Sequence, residues 1–106
     1  MILKGFKFLD ETNTTGESNA LNCSGANQLT LTIESNDTVD ITVYGLVDND
    51  STEWHELGGI NLITYEAASP IDAAGAYAFI VAGINKVKVV NNGTAGNCVV
   101  FGTLSN

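Results

Sequence analysis

Gln28 to Ser35, "QLTLTIES", alternates apolar and polar residues without a break: Leu29, Leu31 and Ile33 on one side, Thr30, Thr32 and Glu34 on the other. A period of two belongs to a half-buried strand and is incompatible with a helix, so it fixes what the segment can be. "VDITVYGLV" repeats the pattern with Val39, Ile41 and Val43 on one face, and the intervening "SNDT" is turn chemistry, which predicts a hairpin. Farther along, "EWHEL" and "INLITYEA" are short segments rich in β-branched and aromatic residues. "YAFIVAG" places Tyr77, Phe79 and Val81 on a common face.

The chain closes with "INKVKVVNNGTAGNCVVFGTL", read as two strands around an Asn/Gly reversal, with Val87 and Val89 inward and Lys86 and Lys88 outward. The sole proline sits in "SPIDAAGA", which breaks regular structure, and no segment shows a capped helical stripe. About eight short strands separated by turns predict an all-β fold, an antiparallel β-sandwich of jelly-roll-like form. The 106 residues fit one domain, 1–106, able to bury a core without cross-links. "ILKGFKFL" is expected at a sheet edge and residues 10–27 as a polar loop or arm.

Twelve acidic residues against four lysines and no arginine give a net charge of -8, which argues against a nucleic-acid partner. Arginine's absence also removes the planar fork suited to phosphate. No run approaches the roughly twenty apolar residues of a membrane helix. The opening "MILKGFKFLDETN" is broken by Lys4, Lys7 and Asp10, so no signal peptide is read and synthesis in a cytoplasm is expected. Cys23 and Cys98 are therefore preferred as reduced core thiols, although a single bridge between them stays open. Five Asn-x-Ser/Thr triplets, starting at Asn13, Asn22, Asn36, Asn49 and Asn92, are read as by-products of turn-rich composition.

The polar chemistry concentrates in "YGLVDNDSTEWHEL", residues 44–57. Asp48 and Asp50 have the spacing that opens a calcium loop, but the sixth and twelfth positions counted from Asp48 are Glu53 and Gly59, not the glycine and glutamate such a loop needs. The preferred reading is a turn whose side chains bond local backbone, leaving Asp48 and Asp50 as weak metal candidates and no cofactor expected. His55, the only histidine, has neither a nucleophile elbow nor a second ligand, and no enzymatic role is assigned to it. Tyr44, Trp54 and Tyr65 are the candidates for an aromatic binding platform, with core packing preferred for the lone Trp54.

The order of these segments resembles a small β-sandwich module of tailed-phage and prophage virion structural proteins. The resemblance covers roughly residues 28–104. It rests on Tyr44, Gly45, Val47, Asp48 and Trp54 around the "YG…VD…W" turn, and on Gly75, Tyr77, Val81, Gly83, Val87 and Val89 before the final strands. It implies a virion part: a capsid decoration, head-fibre or tail accessory protein, often a homotrimer, partnered with other virion proteins such as the major capsid protein and acting without catalysis. Lys86 and Lys88 stand where usual examples of the module carry arginine, and the first thirty residues lie outside the match. The alternative is a non-catalytic carbohydrate-binding sandwich using exposed aromatics, with or without calcium. A small hydrolase is the third reading.

Overall fold

Leu29, Leu31 and Ile33 are buried at 3% exposure or less, as the alternation requires. They belong to one of eleven strands in the computed structural model, which describes residues 2–10, 16–48, 50–93 and 97–106. The strands are β1 (Ile2–Leu9), β2 (Gly16–Glu17), β3 (Leu21–Asn22), β4 (Gln28–Glu34), β5 (Ile41–Leu46), β6 (His55–Glu56), β7 (Gly59–Asn61), β8 (Ala67–Ala68), β9 (Gly75–Ile80), β10 (Lys86–Asn91) and β11 (Val99–Ser105). Four of them are only two residues long, which accounts for the excess over the eight expected. No helix is present among the described residues.

A six-stranded sheet runs β1-β11-β4-β9-β7-β8, and a second sheet runs β2-β10-β5-β6 with β3 also paired to β10. All pairings are antiparallel. The sheets enclose one core that joins Phe8, Leu9, Leu29, Leu31 and Phe79 of the first sheet to Ile41, Val43, Val87 and Val89 of the second. The expected all-β sandwich is what forms.

Three local expectations need correction. β4 and β5 are not a hairpin: they lie in opposite sheets, and the chain crosses the core edge between them with Val39 buried. β10 and β11 are likewise split between sheets, not joined as a terminal hairpin. These two crossings touch, since Ser35 Oγ donates to Asn97 Oδ1 at 2.9 Å and Asn92 N donates to Asp40 O at 2.8 Å. Third, "INLITYEA" is not one strand but β7, a tight turn and β8. Asn61 Oδ1 accepts from Ile63 N at 2.8 Å and Thr64 N at 3.2 Å, and this Asx bonding folds the chain back before a longer strand can grow.

Within the segment expected as a polar loop or arm, residues 16–27 carry β2 and β3 along β10 and bury Leu21, Cys23 and Ala26 in the core. Cys23 and Cys98 are free and buried. Cys23 Sγ donates to Ile84 O at 3.3 Å. Burial raises both thiol pKa values, opposed at Cys23 by a backbone hydrogen bond. Close packing also fixes where side chains can be absent. A Cβ at Gly102 would sit 2.7 Å from the Phe8 ring, and one at Gly59 would sit 2.5 Å from the Phe79 ring.

Candidate functional site

Three surfaces are candidates for function, and the first carries most of the residues singled out by the sequence. On the outer face of the smaller sheet, register sets Lys88 of β10 beside Tyr44 of β5, and Tyr44 beside Glu56 of β6. Lys88 Nζ pairs with Glu17 of β2 and lies 4.3 Å from the Trp54 ring centroid and 5.9 Å from that of Tyr44. The Lys88 side chain is only 16% exposed, so the ammonium is enclosed by a carboxylate and two rings. Trp54 therefore does not anchor the core, as its single occurrence suggested. It is half-buried on the outside, one face covered by Lys88. Tyr65, the third aromatic candidate, lies in the β7–β8 turn of the other sheet and is 80% exposed. Tyr44 and Trp54 come together; Tyr65 does not join them in one sheet.

Beside this cluster, Asp50 N donates to Asp48 Oδ1 at 2.9 Å and Ser51 N to Asp48 O at 3.0 Å, so the first carboxylate of the metal-like spacing closes a turn. Asn49 lies outside the described residues, as does Asn13 of the glycosylation triplets. His55 is exposed and its Nε2 stands 3.9 Å from Glu53 Oε2. Among the described residues, no three His, Cys, Asp or Glu side chains converge as a metal site.

The second surface is a polar cleft of about 410 Å³ between the β7–β8 hairpin and residues 69–72, lined by Asn61, Thr64, Glu66, Ser69, Asp72 and Tyr77 among others. Tyr77 O–H donates to Ala73 O at 2.7 Å, and burial followed by the charge of Asp72 raises its pKa. Asn61 is already occupied by backbone donors and Tyr77 by Ala73, which leaves Glu66 and Asp72 as the charged groups of the cleft. Ser69 Oγ, also in the lining, donates to Glu56 Oε1 at 2.9 Å, and the cleft as a whole can hold a polar group.

The third surface is the outer face of the six-stranded sheet, which the sequence reading overlooked. Of the twelve acidic residues, only Glu34 lies within these six strands. Register lines up Gly5, Thr103, Thr30, Ala78, Ile60 and Ala67 across the sheet, with Lys7, Phe101 and Thr32 in a parallel row. Ile80 is 71% exposed and Phe101 42%. The Phe101 ring leans over Gly5, where a Cβ would come within 3.1 Å of it. The signal was present in the sequence: apart from Gln28, Glu34 and Ser105, the solvent-side positions of β4, β9 and β11 are Thr, Ala, Ile, Val and Phe in a chain otherwise rich in carboxylates.

Comparison with known proteins bears on the architecture. The chain is similar in fold to the SPBc2 prophage-derived protein YomS, whose crystal structure superposes with a TM-score of 0.83 and 22% identity, covering 95% of this chain and 90% of that one. No family model matches the chain, and no curated protein does. At that identity the likeness establishes a common sandwich over nearly the whole length of both chains.

Proposed function

We propose that this chain is a structural protein of a bacteriophage or prophage virion, a capsid decoration or head accessory subunit that works by protein–protein association and performs no catalysis. The observation that carries this reading is the end-to-end fold likeness to a prophage-derived protein. The outer face of the six-stranded sheet supports it, because a carboxylate-poor, partly apolar sheet face on a strongly acidic protein is suited to binding protein and not to remaining in water. Association repeated over a lattice multiplies a modest single contact. Location in the virion, association with the major capsid protein and a trimeric assembly belong to the same proposal.

The test is fractionation of phage particles from an induced lysogen carrying the gene. The chain is expected in the purified particle band by mass spectrometry, and on the particle surface by immunogold microscopy. Recovery only from the soluble fraction, with none in particles, overturns the reading.

A further inference from the structure

We infer that the outer face of the six-stranded sheet is a contact between two copies of this chain, related by a two-fold axis running diagonally over β11, β4 and β9. The inference concerns the purified chain and stands whether or not the chain is a virion part.

Lys7, Phe101 and Thr32 lie in one row on neighbouring strands, and Glu34 is two residues farther along β4, opposite Val99. With strands about 4.8 Å apart and a rise of about 3.4 Å per residue, Lys7 and Glu34 are separated by about 10 Å across the sheet and about 7 Å along it. The line equidistant from the two crosses β11 between Val99 and Phe101. It passes β4 between Thr30 and Thr32 and reaches β9 between Ala78 and Ile80, by the observed register. A two-fold axis above that line lays each copy's Lys7 over the other's Glu34, twice, and sets the two Ile80 side chains next to each other.

Shape follows the same symmetry. A hollow of about 340 Å³ lined by Lys7, Thr32, Glu34, Val99 and Phe101 opens on this face. Because each Phe101 ring leans toward β1, the axis carries it to the Thr32 side of the opposite copy, over that hollow. Between the two knobs, Phe101 and Ile80, the face is Thr and Ala, small enough for two sheets to approach at about 10 Å.

Charge selects a second copy as the occupant. Two molecules of net charge -8 repel unless their contact excludes the carboxylates. This face holds one charge of each sign within the Lys7–Glu34 hollow and no other carboxylate in its strands. The outer face of the smaller sheet, by contrast, carries Glu17 and Glu56, with Asp48, Asp50 and Glu53 adjoining. Six strands of two to eight residues together offer roughly 500 Å² per copy, at the small end of specific interfaces, so the dimer is reversible and concentration-dependent. A two-fold contact closes on two copies, and a trimer would use other surfaces.

Sedimentation velocity on the full chain across a concentration series tests this, with wild type, Lys7→Glu, Glu34→Lys, the double reversal, Phe101→Glu and Ile80→Glu. Wild type dimerises; each single charge reversal weakens the dimer by about tenfold or more, and the double reversal restores it to within about threefold. Phe101→Glu and Ile80→Glu are monomeric at every concentration, with thermal melts confirming that all variants fold. A wild type monomeric throughout overturns the inference, as does any oligomer indifferent to these variants or a double reversal no better than the singles.

Discussion

Lys88 Nζ sits 4.3 Å from the centre of the Trp54 ring while the same ammonium pairs with Glu17, so one cation ties β10 to β2 and to the segment that precedes β6. A shared cation makes the two partners energetically dependent on each other. A double-mutant cycle on Lys88→Met and Trp54→Leu should give a Lys88–Trp54 coupling of about 0.5–1 kcal/mol by urea unfolding. The coupling with Glu17 should be smaller, since that carboxylate is half in water, and should fall further with added salt. The tryptophan emission of Lys88→Met should also shift, because the ring loses its covering charge.

Adjacent glycines should behave oppositely. At Gly59 a Cβ would meet the Phe79 ring at 2.5 Å, and Phe79 is fully packed, whereas at Gly58 nothing lies within 4 Å. Gly59→Ala should destabilise by about 1–3 kcal/mol through overpacking. Gly58→Ala should stay within about 0.5 kcal/mol of the parent, as exposed substitutions do. Combining Gly59→Ala with Phe79→Leu should cost less than the sum of the two, because the smaller side chain makes room for the new methyl group.

These contacts show where the sequence was informative and where it was silent. Alternation in β4, β9 and β10 was enough to place Leu29, Leu31, Phe79, Val87 and Val89 inside, because burial of one face is a local property of the strand. Which sheet a strand joins is not local. The turn after β4 has Asp37 N donating to Ser35 Oγ, bonding equally at home in a hairpin or at a corner between sheets. Val39 and Ile41 then go into the core whichever way the chain turns. Trp54 was misplaced for the same reason: its partner Lys88 is 34 positions away, and nothing near either residue announces the other. The carboxylate-poor outer face was legible in the solvent-side positions, but only once β1, β11, β4 and β9 were known to be neighbours.

Alkaline pH should weaken the fold in a defined way. Burial raises the pKa of Cys23 and Cys98 above the ordinary 9.0, and burial with the charge of Asp72 raises that of Tyr77 above 10.0. A raised pKa on an acid that is neutral when protonated means that the unfolded chain releases its protons first. The stability tied to the thiols is thus complete below pH 9.0, and that tied to Tyr77 below pH 10.0, each being lost as pH climbs through the folded-state value. Unfolding free energy should fall with pH above 9.0, and more steeply in wild type than in Cys23→Ala/Cys98→Ala or Tyr77→Phe, whatever offset those variants carry at neutral pH. A profile with the same slope in all three proteins would reject the assignment.

Tyr65 holds a left-handed backbone, φ 62°, at the β7–β8 turn, with its N–H bonded to Asn61 O at 2.8 Å and its ring almost wholly in solvent. For a residue with a Cβ this conformation costs about 1–2 kcal/mol, and an exposed ring has little packing to offset it. Glycine removes the strain but has more freedom to lose on folding, so Tyr65→Gly should be stabilising by up to about 1 kcal/mol. Tyr65→Val, β-branched in a conformation that disfavours branching, should be destabilising relative to both. Thermal denaturation of the three proteins checks the order. The same variants probe the carbohydrate-binding alternative, for which Tyr65 is the most exposed aromatic: glycan-array binding lost in both Tyr65→Gly and Tyr65→Val would mean that the strain is kept to present that ring, and no binding by the parent would leave the alternative without its main support.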